Sequence, residues 1–148
     1  MTTLLASILE IEKHDGNWKK PAMVVGYRNS METSPLRTVT RWGFRTVVQT
    51  VIGNRHVRDS QCGFKLMSLS AGLQLYSNLH LVGWTHDVEV LYRAQVRNIP
   101  TREHPVEWTD KAGSKLLTPD NNVVSVSATM LWEVIQMRLE YALGRWTV

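Results

Sequence analysis

Ala22 to Tyr27 (AMVVGY) is a short, uninterrupted apolar run between Pro21 and Arg28. It is too brief for a core helix, and its paired valines predict a strand buried on both faces, the kind found in parallel sheets. Helical stretches follow it. Residues 35–53 read as a helix opening at Ser34, with Pro35 at the first helical position. Phe64 to Met67 is a candidate strand, and residues 70–78 read as a helix capped by Ser70. Asp87 to Asn98 predicts a further helix, stopped by Ile99–Pro100. Arg102 to Trp108 reads as an edge strand, because Pro105 cannot donate to a central ladder. Residues 127–143 carry the strongest helical period and end at Gly144. A short amphipathic helix is expected over residues 3–13, and residues 109–124 read as a mobile loop. Strands alternating with helices imply an α/β chain. Three or four strands are few for a complete doubly wound sheet, so the sheet reads as half present.

Composition narrows the function classes. The chain has 148 residues, a formal charge of +4 and one cysteine, Cys62, which excludes an internal disulfide framework and cysteine-rich zinc modules. Its five histidines show no ligand spacing, no apolar run is long enough to span a bilayer, and no nucleic-acid signature accompanies the tryptophans. The N-terminus lacks the pattern of a secretory signal. A soluble or membrane-surface protein is expected.

Four clusters bear chemistry. Arg58-Asp59-Ser60-Gln61-Cys62-Gly63-Phe64-Lys65 gathers two cations, a carboxylate and an amide around a glycine; such a loop suits a phosphate or a sugar hydroxyl, or is an ordinary turn with an Arg–Asp pair. In Trp84-Thr85-His86-Asp87-Val88-Glu89, Asp87 falls at a helix start while Glu89 points elsewhere. The two carboxylates either divide catalytic roles, or cap the helix and solvate its face. Arg37, Arg41 and Arg45 recur every four residues, and Leu36, Val39, Phe44, Val47 and Val51 take mainly the opposite arc, with Trp42 between. That pattern suits a membrane surface or a lipid-borne phosphate, or a helix packed on its own sheet. Gly113-Ser114-Lys115 is a weak phosphate-binding signal without the glycine-rich lead of a Walker loop.

Order and wording add more. VVGYR (24–28), RDSQCGFKL (58–66), WTHDVEVLYRAQ (84–95), NIPTREHPVEWTDKAGSKL (98–116) and RLEYALGRW (138–146) resemble the C-terminal half of the dolichyl-phosphate β-glucosyltransferases, inverting enzymes of the GT-A fold. The resemblance implies one partial glycosyltransferase domain over 1–148. Residues 21–116 would be its core and 127–146 a C-terminal amphipathic helix. Its fold would be the acceptor-side half of GT-A, an incomplete mixed sheet flanked by helices.

It implies transfer of glucose from UDP-glucose to dolichyl phosphate at the cytosolic face of the endoplasmic reticulum membrane, feeding N-glycan assembly. Asp87 and Glu89 match the acidic pair near glucose and acceptor. Arg28 would lie near the diphosphate, and Arg58, Asp59, Gln61 and Lys65 would bind substrate. Arg41, Arg45, Ser114 and Lys115 would meet the acceptor phosphate. Mg2+ or Mn2+ is expected for the full-length family. However, Asp15, Asp59, Asp87, Asp110 and Asp120 form no Asp-x-Asp, so no metal ligand is assigned here and the ligands are expected in a missing N-terminal half. The isolated chain is then expected to be barely active and marginally stable, with an uncovered sheet edge and apolar face, unless a partner chain supplies that half. A non-catalytic remnant that binds a membrane or partner, and a related mannosyltransferase, stay as alternatives.

Overall fold

A computed structural model describes residues 21–28, 35–53, 57–107 and 123–148; of residues 35–38, 40, 41 and 123 it describes the backbone alone. The expected helix at 3–13 and most of the expected loop at 109–124 lie outside these residues.

Three strands form a mixed sheet in the order β2-β1-β3. β1 (Met23–Arg28) is the apolar run seen in the sequence, and Met23, Val24 and Val25 are fully buried. β3 (Thr101–Val106) runs parallel to it, in register from Met23 opposite Thr101 to Arg28 opposite Val106. Among the described residues β3 is an edge strand, which tolerates Pro105. β2 (Lys65–Met67) runs antiparallel along the other side of β1, pairing Val25 with Lys65. With helices on this sheet the chain is α/β, consistent with a partial GT-A-like fold.

The helices pack in two layers of core. α1 (Pro35–Ile52), α2 (Leu69–Tyr76), α3 (His86–Val96) and α4 (Val123–Ala142) follow in chain order, with a short 3₁₀ turn at Gly83–Thr85 before α3. Met23 and Val25 of β1 meet Ala71 and Leu75 of α2 and Val90, Leu91 and Ala94 of α3. The opposite side of α3, Val88 and Tyr92, meets Phe44, Val48 and Ile52 of α1 and Val134 and Met137 of α4. α3 is therefore buried on nearly every side from Asp87 to Ala94. A helix enclosed in this way takes its position from the packing around it.

Several details differ from the sequence expectations. The cap of α2 is Ser68, not Ser70: the Ser68 hydroxyl accepts from Ala71 N at 3.3 Å and from Ala22 N at 3.1 Å. One side chain thus starts α2 and ties it to the head of β1. Asp87 does sit in the first turn of α3, but its carboxylate turns to the Lys65 ammonium instead of capping amides. Val39 is 66% exposed, and the buried stripe of α1 is Phe44, Val48 and Ile52, one turn apart each. α4 begins at Val123, before Ser127, although its Val/Ser-rich first turn has low helix propensity. Gly144, at φ +70°, follows its end as expected.

Candidate functional site

The carboxyl ends of the parallel strands β1 and β3 lie side by side, and the loop after Val57 is strapped across them. Arg28, the last residue of β1, grips Asp59 with both arms of its guanidinium: Nε to Oδ2 at 2.6 Å and Nη2 to Oδ1 at 2.9 Å. Arg58 pairs with Glu103 of β3 at 3.4 Å, and its guanidinium lies 5.0 Å from the centre of the Tyr27 ring. The Arg58 amide donates to the same Glu103 carboxylate. Beneath this strap a side chain at Gly26 would crowd Val106, Cys62 and Phe64 at 3.0–3.1 Å, so they would have to give way by a few tenths of an ångström to admit one.

A second group adjoins the first along the loop. Lys65 Nζ sits 2.8 Å from Asp87 Oδ1 and donates to the Cys62 carbonyl at 2.7 Å. His86 Nε2 approaches the same Asp87 oxygen at 3.2 Å, and its Nδ1 meets the Gly83 carbonyl at 2.6 Å. Gln61 reaches the Trp84 carbonyl at 3.4 Å. The two motifs read separately in the sequence are therefore one junction. The Tyr76 hydroxyl senses it: burial, and then the nearby Asp87 charge, push its pKa above the usual 10.0.

Glu89 takes another direction. It is fully buried. Its Oε1 accepts from Tyr141 Oη at 2.7 Å and faces His80 Nδ1 at 3.0 Å. Its Oε2 accepts from the backbone amides of Leu81 at 2.6 Å and His80 at 3.0 Å. The Arg93 guanidinium stands 3.8 Å away and closes the end of α2 through the carbonyls of Ser77 and Asn78. His80 in turn stacks on Trp146, with ring centres 4.2 Å apart. The reading of Glu89 as part of a solvated helix face is corrected by this burial. Burial, and then the hydrogen bond to the Glu89 carboxylate, raise the Tyr141 hydroxyl far above its ordinary pKa.

Of the expected site residues, Arg28, Arg58, Asp59, Gln61, Lys65 and Asp87 come together along one loop, and Glu89 does not join them. Arg45 is exposed and lines a small depression with Gln49, Val57, Ser60 and Leu91. The Arg41 side chain, Ser114 and Lys115 lie outside the described residues. Sequence reasoning missed Glu103, which anchors Arg58, and Tyr141, which meets Glu89 from 52 positions away. Both fall inside the quoted motifs, but nothing in their spacing singles them out.

Chemically, the junction presents three cations, each held by a carboxylate. Arg28 offers a planar fork that fits a phosphate as well as it fits Asp59. A divalent ion does not fit the described residues. Among them no group of three His, Cys, Asp or Glu side chains could hold one, and Asp87 is already engaged by the Lys65 ammonium.

Comparison with known proteins adds a family. No family profile and no solved structure matches the chain, but curated proteins do. The dolichyl-phosphate β-glucosyltransferase of Dictyostelium discoideum is 35% identical over 146 residues, which cover 94% of this chain and 41% of the relative. The Saccharomyces cerevisiae protein of the same name is 33% identical over 95% of this chain and 43% of its own length. The Mus musculus protein is 37% identical over 78% of this chain and 34% of its own length. The chain thus spans about two fifths of the length of the Dictyostelium and yeast relatives. Over nearly all of its own residues, it is homologous to part of the dolichyl-phosphate β-glucosyltransferases.

Proposed function

We propose that this chain supplies the acceptor side of a glucosyltransferase that moves glucose from UDP-glucose to dolichyl phosphate, at the cytosolic face of the endoplasmic reticulum, for N-glycan assembly. The observation that carries the reading is the name shared by relatives in slime mould, yeast and mouse, matched across 78–95% of the chain. The gathering of Arg28, Arg58 and Lys65 at the strand ends supports it, because both substrates bring phosphates.

In the proposed reaction an oxygen of the dolichyl phosphate attacks the anomeric carbon of glucose. The bond from that carbon to the β-phosphate oxygen of UDP breaks, and UDP leaves with the electron pair. The attacking oxygen is already anionic, so no proton has to be removed from it. The protein's task is positioning and charge compensation. Arg28 would exchange Asp59 for a diphosphate oxygen, while Arg58, Asp59, Gln61 and Lys65 shape the sugar–phosphate pocket beside Asp87. Arg45, together with Arg41, Ser114 and Lys115, would meet the acceptor phosphate. The proposed Mg2+ or Mn2+ would draw its ligands from outside the described residues, or from a partner chain. The proposed contact with the bilayer is at its surface; among the described residues no helix is long and apolar enough to cross a membrane.

Flotation with lipid vesicles tests the acceptor half of this reading. The chain should rise with bilayers containing dolichyl phosphate and much less with the same bilayers lacking it. Arg45→Gln removes a cation proposed to meet the acceptor phosphate, and should weaken that retention about tenfold, the usual worth of a charged hydrogen bond. Equal retention with and without dolichyl phosphate contradicts the reading.

A further inference from the structure

We propose that Glu89 is a positioning residue, which clamps the turn leading into α3 and thereby sets Asp87, and that it never touches substrate. The inference rests on the proposed function only in naming what Asp87 faces. Four donors saturate the Glu89 carboxylate, two on each oxygen: Tyr141 Oη and His80 Nδ1 on one, the His80 and Leu81 amides on the other. The side chain has no exposed surface. A carboxylate so occupied has no lone pair left for a sugar hydroxyl or a phosphate-bound proton, and displacing its partners would leave a fully buried charge unpaired.

What the clamp controls follows from the chain path. The amides of His80 and Leu81 open a segment that passes through Gly83, Trp84 and Thr85 straight into α3. In that segment the Gly83 carbonyl meets His86 Nδ1, and the Trp84 carbonyl receives Gln61. His86 Nε2 then touches Asp87. From the other side Thr85 is buried and donates to Glu133 of α4 at 2.6 Å. Glu89 therefore holds the base of the turn whose tip carries both contacts to the candidate site. Tyr141, on α4, ties that hold to the far end of the chain.

The His86 ring reports the position of the turn directly, because one nitrogen meets Gly83 and the other Asp87. In the isotope-labelled chain, Glu89→Gln and Tyr141→Phe should both shift the His86 ring nitrogens, Tyr141→Phe by less, while the amide signals of β1 and β3 stay in place. Glu89→Gln should also weaken retention on dolichyl-phosphate vesicles about tenfold, as displaced positioning groups do, and Glu89→Asp, which keeps the charge, should restore part of it. Tyr141→Phe removes a single hydroxyl and carries the ring readout if Glu89→Gln fails to fold. Unmoved His86 signals in the folded variants overturn the proposal. So does lost retention with His86 unchanged, which would place Glu89 on the ligand. If the unaltered chain ignores dolichyl phosphate, the functional reading falls and the His86 shifts still decide the clamp.

Discussion

Tyr141 shows how one buried hydroxyl links stability to pH. Burial and the Glu89 carboxylate both favour the neutral form, so the folded pKa lies well above the ordinary 10.0. Above about pH 10 an unfolded chain has lost this proton while the folded one still holds it, so its share of stability, complete at lower pH, drains away as pH rises. Tyr76 acts in the same sense, through burial and then Asp87. Urea unfolding from about pH 8 to pH 11 should therefore show falling stability. Tyr141→Phe should be less stable at neutral pH and lose less on the way up. An identical slope in both proteins would contradict the role given to this hydroxyl.

At the level of elements, Ser68 is the smallest test of how the layers are joined. Its hydroxyl caps α2 and receives the Ala22 amide at the head of β1. Ser68→Ala should cost about 1 kcal/mol in chemical unfolding, the usual value of an N-cap, and Ser70→Ala less. A larger cost for Ser70→Ala would return the cap to the place the sequence suggested. That miss has a physical source. Ser68 and Ser70 are both good caps, and only the position of β1, set by tertiary packing, selects between them. The apolar run of β1, the stop of α4 at Gly144 and, among the described residues, the edge position of β3 were legible because each rests on local sterics or hydrogen-bond supply. The join of the Arg58 loop to the Asp87 turn was not, since neither motif's spacing points to the other. The Glu89–Tyr141 bond was not legible, since a contact between residues so far apart leaves no period to read.

For the molecule as a whole, the described surface retains much apolar area. Leu69 and Leu73 of α2 are 80% and 67% exposed, and with Tyr76 they share one face of that helix. Trp132, Ile135 and Leu139 form a second stripe on α4, opposite the buried Val134 and Met137. Surfaces of this kind belong to interfaces more often than to free solvent. At the polar junction the cations Arg28, Arg58 and Lys65 are each matched by a carboxylate of the same chain.

The most direct measurement replaces the matching segment of the Dictyostelium relative with this chain and follows labelled glucose from UDP-glucose into lipid-extractable product. The hybrid should transfer glucose to dolichyl phosphate, prefer UDP-glucose to GDP-mannose, and lose activity by about a hundredfold or more with Asp87→Asn. A folded hybrid that binds UDP-glucose yet transfers nothing, or one indifferent to Asp87→Asn, would contradict the assignment of these residues to the acceptor side of the reaction.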